Sequence, residues 1–276
     1  MDGRIDTVLR IIDSDIQRGD VSRLSIPALA REVGMCTRYL QLYFKAVTGE
    51  PIGHYIARLK AERALCLLKH SDMKMQDIAY AVGLQNPSAL NNILRKSHGK
   101  TPQQVRACLR GMRPRPAAEN LDYRIEHLRA VPVLSLSYIG SYDTYGSELF
   151  EEDSWTLLYD HAEAAGVLPE TPDYWGIALD DADITDPERC RFYACISVTA
   201  LPETEKGRIK AMKIPGGRYA VYTHRGDYSL LEDFYSVVQC QLKFRLGSGL
   251  ILERYLNSPS EVSADELLTE VWFPIE

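Results

Sequence analysis

No apolar run in this 276-residue chain approaches the ~18 residues that crossing a membrane as a helix requires. The six cysteines, at 36, 66, 108, 190, 195 and 240, form no C-x-x-C pair, so reduced and mostly buried thiols are expected. The six histidines show no H-E-x-x-H spacing and no cysteine partner, which argues against a zinc site. Gly-x-Ser-x-Gly, a Cys–His pair and a phosphate loop are missing as well, so no catalytic residue is nominated. Neither a metal nor a cofactor is expected. Met1-Asp2-Gly3-Arg4-Ile5-Asp6 has acidic residues and polar breaks where a signal peptide needs an apolar stretch, so the cytoplasm is the expected compartment.

What the chain has is an uneven charge. Residues 1–110 carry 17 Lys and Arg against 10 Asp and Glu, a net +7, whereas residues 121–276 carry a net −14. A basic head on an acidic body is the asymmetry expected when only the head meets phosphate. Between them, Gly111-Met112-Arg113-Pro114-Arg115-Pro116-Ala117-Ala118 cannot continue a helix and predicts a linker over 111–120. The reading is therefore of two domains, 1–110 and 121–276.

The head has a 3.6-residue apolar period and repeats itself. Leu29-Ala30-x-x-Val33-Gly34 returns 49 residues later as Ile78-Ala79-x-x-Val82-Gly83. Leu40-x-x-x-Phe44 returns as Leu90-x-x-x-Leu94, and Gly49-x-Pro51 as Gly99-x-x-Pro102. A small residue ahead of a glycine turn lets two helices cross closely, as a helix-turn-helix requires. Two such units, joined by a helix over about 51–69, are expected. Their exposed helix faces offer Arg38, Gln41, Leu42 and Lys45 in the first unit, and Ser88, Asn91, Asn92, Arg95 and Lys96 in the second. Arg38 suits guanine, Gln41 adenine and Leu42 a thymine methyl, while Arg95 and Lys96 are better placed for phosphate.

The body changes to period-2 runs, with strands expected at 133–138, 174–179, 191–198, 219–224 and 267–275. It too repeats, at an offset of 86: Ile139-Gly140-Ser141-Tyr142 returns as Arg225-Gly226-Asp227-Tyr228, each after a strand and before a helix. Phe150, Leu157, Leu158 and His161 mark the first of those helices. Two pseudo-symmetric strand-helix-strand-strand repeats would leave a groove for a small ligand. The expected architecture is multidomain: an all-α head followed by an α+β body.

Arg38-Tyr39-Leu40-x-x-x-Phe44-Lys45, Arg58-Leu59-x-x-x-Arg63-Ala64, Asp77-Ile78-Ala79-Tyr80-Ala81-Val82-Gly83 and Gly99-Lys100-Thr101-Pro102 resemble the AraC family over about Arg4 to Arg106. Leu84, Leu90 and Leu94 stand where that family has phenylalanines, and Asn91-Asn92 where Ser-Arg is common. In the body, Gly140-Ser141-Tyr142, Pro215-Gly216-Gly217-Arg218-Tyr219, His224-Arg225-Gly226-Asp227-Tyr228, Glu253-Arg254-Tyr255-Leu256-Asn257 and Leu267-Leu268-Thr269-Glu270-Val271 resemble the GyrI-like effector-binding domain. The pairing is similar to Rob-type regulators. The resemblance implies a transcription activator on double-stranded DNA, covering an asymmetric site over two successive major grooves. It implies RNA polymerase as a partner and a lipophilic, often cationic effector.

For that effector the sequence nominates Glu270, on the strand face of Leu268 and Trp272, where a carboxylate needs a partner. A ligand cation or a structural group such as Arg218 would serve. Tyr142, Trp155, Trp175, Tyr193 and Tyr228 are the candidate aromatic walls. Two other readings stay open: a GyrI-like hydrolase using Glu270 with Tyr142 or Tyr193, and an interaction module with a vestigial pocket.

Overall fold

A computed structural model describes residues 3–20, 23–111, 121–142, 154–202, 208–242, 244, 246–247 and 249–276. The chain divides into two compact units, Met1–Met112 and Arg113–Glu276. Apart from Gly111, the expected linker lies outside the described residues, as does Phe150.

The first unit is helical: α1 (Gly3–Arg18), α2 (Ile26–Glu32), α3 (Thr37–Thr48), α4 (Ile52–His70), α5 (Met75–Ala81), α6 (Pro87–His98) and α7 (Pro102–Gly111). The duplicated sequence folds into duplicated bonds. At the α2–α3 turn, Met35 N donates to Ala30 O at 2.9 Å, and at the α5–α6 turn Leu84 N donates to Ala79 O at 2.8 Å. Gly34 and Gly83 hold φ of +62° and +68° in those turns, which a side chain would strain. Helices α2 and α6 carry side-chain N-caps: Ser25 Oγ accepts from Ala28 N, and Asn86 Oδ1 from Ala89 N. The substituted leucines Leu90 and Leu94 are fully buried like Leu40 and Phe44, so aliphatic side chains fill the second core. Arg58 clamps α4 to the turn before it, bonding Glu50 at 2.7 Å and Glu62 at 3.1 Å.

Among the described residues the second unit is one antiparallel sheet carrying two α-helices. Its elements run β1 (Tyr123–Leu128), β2 (Val131–Ile139), α8 (Ser154–Ala164), β3 (Tyr174–Ala178), β4 (Arg191–Ser197), then β5 (Ile209–Ile214), β6 (Gly217–Arg225), α9 (Leu231–Gln241), β7 (Leu252–Tyr255) and β8 (Leu268–Pro274). The offset of 86 is visible in the folded chain, since β1 and β5 begin at 123 and 209, and β2 and β6 at 131 and 217. Each repeat thus opens with one strand more than the strand-helix-strand-strand unit. The order β1-β6-β8-β7-β3-β4-β2-β5 reads the same from either end once the repeats are exchanged. Each repeat lends its first strand to the other's edge, and the pseudo-two-fold falls between β7 and β3.

Alternation gives the sheet two faces. On one, α8 contributes Leu158 and Ala162 to a core with Leu134, Phe192 and Ile196, while α9 contributes Leu231 and Val238 to a core with Tyr222, Val271 and Phe273. The opposite face is buried without either helix: Val133, Trp175, Ile177, Tyr193, Cys195, Tyr219, Val221, Leu252 and Trp272 pack on one another. The sheet curls to bury that face. A Cβ on Gly216, in the β5–β6 turn, would meet Leu128 O at 2.8 Å and Ala130 N at 3.0 Å, so the turns beside the two edge strands touch.

Candidate functional site

In the first unit, α3 presents Arg38, Gln41, Leu42 and Lys45 as exposed residues, with Leu42 63% exposed. The same helix is buried on its other side through Leu40 and Phe44. Tyr39, also exposed, stacks on Tyr43 at 5.6 Å and stiffens the same surface. On α6, Ser88, Asn92 and Arg95 are exposed and Asn91 is half-buried; Lys96 lies on this helix, its side chain outside the described ones.

In the second unit, the six nominated ligand residues separate onto the two faces. Glu270, Trp175 and Tyr193 belong to the curled inner face, whereas Tyr142, Trp155 and Tyr228 pack on the helix-covered face. Tyr142 is tied to the β3–β4 loop, donating to Arg191 O at 3.0 Å while Asp180 N donates to its hydroxyl at 3.3 Å.

Glu270 already has its cations. Arg124 Nη2 donates to its Oε1 at 2.6 Å, Trp272 Nε1 donates to Oε2 at 3.2 Å, and Arg254 Nη1 stands 3.8 Å away. Arg124 also lies 5.8 Å over the Trp272 ring, and Arg254 lies 5.5 Å over Trp175 while bonding Asp173 at 2.6 Å. The chain's own guanidinium groups therefore occupy the carboxylate and the aromatic faces. Arg218, the partner suggested by sequence, instead donates to Glu276 O.

A second carboxylate, which the sequence reading passed over, sits on the other face. Glu253 of β7 is 6% exposed, beside the pseudo-two-fold. Tyr235 of α9 donates to Oε1 at 2.9 Å, and Tyr255, two residues along β7, donates to Oε2 at 2.5 Å. Among the described residues no cation pairs with it. Burial pushes Glu253 above the usual carboxylate range, and the two phenol donors offset only part of that. The same burial, with the Glu253 charge nearby, pushes the Tyr228 phenol up to about 12.

Aromatic rings surround this carboxylate from both repeats. Tyr255 meets Trp155 of α8 edge-on at 5.8 Å and Tyr228 at 5.5 Å, so both helix layers converge on it. Space for Tyr255 comes from Gly176, the β3 residue paired with Glu253, where a Cβ would lie 2.6 Å from the Tyr255 hydroxyl. A buried carboxylate with no cation among the described residues, bonded by Tyr235 and Tyr255 and with Trp155 and Tyr228 packed on Tyr255, has the chemistry to pair with a desolvated lipophilic cation.

Residues 121–276, more than half of the chain, match the GyrI-like small molecule binding domain. The chain belongs to the GyrI-like family. A helix-turn-helix domain matches residues 29–107, so the GyrI-like body follows an AraC-type head. The transcriptional regulator Rob of Salmonella typhimurium is 24% identical over 260 residues, covering 88% of each chain. The regulatory protein SoxS of the same organism is 28% identical over 102 residues, 37% of this chain and 92% of SoxS. The F1 operon positive regulatory protein of Yersinia pestis is 28% identical over 102 residues; the match takes 37% of this chain and spans 33% of that protein's length. Glu253-Arg254-Tyr255 was legible as a motif of the GyrI-like body, and its glutamate is the signal that could have found the helix-face site. Among the described residues no helix is long and apolar enough to cross a membrane.

Proposed function

We propose that this chain is a DNA-binding transcription regulator whose GyrI-like body receives a lipophilic cationic effector at Glu253. The observation that carries the effector reading is the contrast in partners: Glu270 is held by Arg124 and Arg254, whereas Glu253 has two phenols and no cation among the described residues. Each carboxylate oxygen of Glu253 accepts one phenol hydrogen bond and keeps a further lone pair, so a cation can approach without displacing either tyrosine. Tyr228 and Trp155 supply ring faces beside it.

The helix-turn-helix pair takes double-stranded DNA, α3 reading bases through Arg38, Gln41 and Leu42 and the α6 face contributing Ser88, Asn91, Asn92, Arg95 and Lys96. The two units would cover successive major grooves, about 34 Å apart. Activation through RNA polymerase, in the cytoplasm, completes the reading; the naming of the Yersinia relative as a positive regulatory protein supports that direction.

Tryptophan fluorescence tests the effector site, because Trp155, Trp175 and Trp272 all lie in the GyrI-like body. Titrated with a lipophilic cation such as tetraphenylphosphonium, Glu253→Gln loses about 30-fold in affinity, or about 2 kcal/mol, while Glu270→Gln changes it less than about threefold. Equal losses in the two variants would remove Glu253 as the receptor. On the DNA side, Arg38→Ala should cost about 1–3 kcal/mol and relax specificity at one base pair, read by competition between specific and random duplexes.

A further inference from the structure

Next to Glu253 the helix-covered face holds a polar atom that nothing among the described residues satisfies. Thr269 of β8 is fully buried, and its hydroxyl has no hydrogen-bond partner among the described residues. The register places it between Tyr255 of β7 and His224 of β6, on the same face as Glu253 and diagonal to it across the β7–β8 pair. Both flanking polar groups are engaged elsewhere: the Tyr255 hydroxyl donates to Glu253, and the His224 ring nitrogen faces Asp227 O at 3.2 Å. The Tyr228 ring, packed on Tyr255, belongs to the same wall. A buried hydroxyl left without a partner is destabilising, and valine would fill the same space in a strand without that cost.

We propose that Thr269 is a second recognition point of the effector site, reading a hydrogen-bonding oxygen or nitrogen on the ligand about 7 Å from its cationic centre, the diagonal cross-strand spacing. The effector is then an amphipathic cation with one internal acceptor, rather than a bare hydrocarbon cation. This rests on the reading of Glu253 as the cation receptor. Glu253 supplies the affinity common to lipophilic cations, and Thr269 separates those that carry the acceptor from those that do not, since a polar group desolvated without a partner is penalised on either side of the interface.

The test uses the full chain and two probes, benzyltrimethylammonium and its 4-methoxy derivative, whose ether oxygen lies about 7 Å from the quaternary nitrogen and so matches that spacing. Wild type should bind the methoxy probe about five- to tenfold more tightly than the parent. Thr269→Val should bring that ratio to about one with the parent probe's affinity unchanged. Thr269→Ser, which keeps the hydroxyl, should retain the preference, and Glu253→Gln should weaken both probes by the same factor. A ratio of one in wild type, or a preference surviving Thr269→Val, overturns the Thr269 assignment while leaving Glu253 in place. If neither probe saturates wild type, or if Glu253→Gln binds both as well as wild type does, the Glu253 reading falls and the Thr269 assignment falls with it.

Discussion

Glu253 and Glu270 lie on neighbouring strands, one register step apart, and point to opposite faces of the same sheet. Both are about as buried, at 6% exposure each, and both stand among aromatic rings. They differ in what the chain has placed against them. Glu270 is answered by Arg124 from the edge strand β1 and by Arg254 from β7, with the Trp272 indole closing the set. Glu253 is answered only by neutral phenols among the described residues. Burial depth and aromatic surroundings therefore do not distinguish a ligand carboxylate from a structural one. The accounting of counter-charges does, because a buried charge without an opposite charge is the state that a ligand can relieve.

The comparison is sharpened most by stability. Glu270→Ala leaves Trp272 Nε1 without its acceptor and takes one carboxylate from Arg124 and Arg254, which keep Glu126 and Asp173, and should cost about 2 kcal/mol. The arginines remain partly open to water, which limits the loss. Glu253→Gln should act in the opposite direction in the ligand-free protein, gaining about 1 kcal/mol by removing a buried charge while still offering an acceptor to Tyr235 or Tyr255. Urea unfolding of both variants reads the signs directly. Two losses of equal size would mean that Glu253 is as well compensated as Glu270.

A smaller effect is expected from the residue that makes room for the site. Gly176→Ala places a methyl 2.6 Å from the Tyr255 hydroxyl and 2.5 Å from Phe192 Cζ, so the two rings must shift. The cost should be about 1–2 kcal/mol, and the Tyr255 bond to Glu253 should lengthen or break. Thermal melting would register the first effect. Cation titration would register the second, as a change in affinity beyond that of a control alanine at an exposed position such as Gln85→Ala. An unchanged midpoint would mean that β3 yields at this position and that Gly176 does not shape the site.

Much of this architecture was readable beforehand because it rests on local rules. The α2–α3 and α5–α6 turns carry glycine where φ is positive, and the echo of Ala30-x-x-Val33-Gly34 in Ala79-x-x-Val82-Gly83 reproduces the bond pattern as well. The longer strands β2, β4, β6 and β8 announce themselves by alternating or continuous apolar runs. β1 and β5 did not, since they are edge strands interrupted by charge: Arg124 and Glu126 in one, Lys210 and Lys213 in the other. Charged edges resist further pairing, which is useful to the protein and erases the strand signal. β7 is only four residues long, with Glu253 and Arg254 at its centre. Choosing between the two carboxylates needed knowledge that Arg124, 146 residues from Glu270, returns to it across β6. Without β1 in view, Glu270 looks like a carboxylate in need of a ligand cation or a structural partner; Arg124 on that strand is such a partner.

The smallest effect, and the most diagnostic, is in pH. Burial raises Glu253 in the folded chain above its value in the unfolded chain, so between those two values the folded state keeps a proton that the unfolded state has released. Its contribution to stability is complete below the ordinary carboxylate value of about 4.3 and declines as pH rises through the raised one. Cation binding has the opposite slope over the same window, because only ionised Glu253 attracts the ligand. Ligand-free stability should therefore fall as ligand affinity climbs, and Glu253→Gln should flatten both curves. If the affinity curve keeps its slope in Glu253→Gln, another group titrates at the site, and the difference between the two faces is no longer one of unanswered charge.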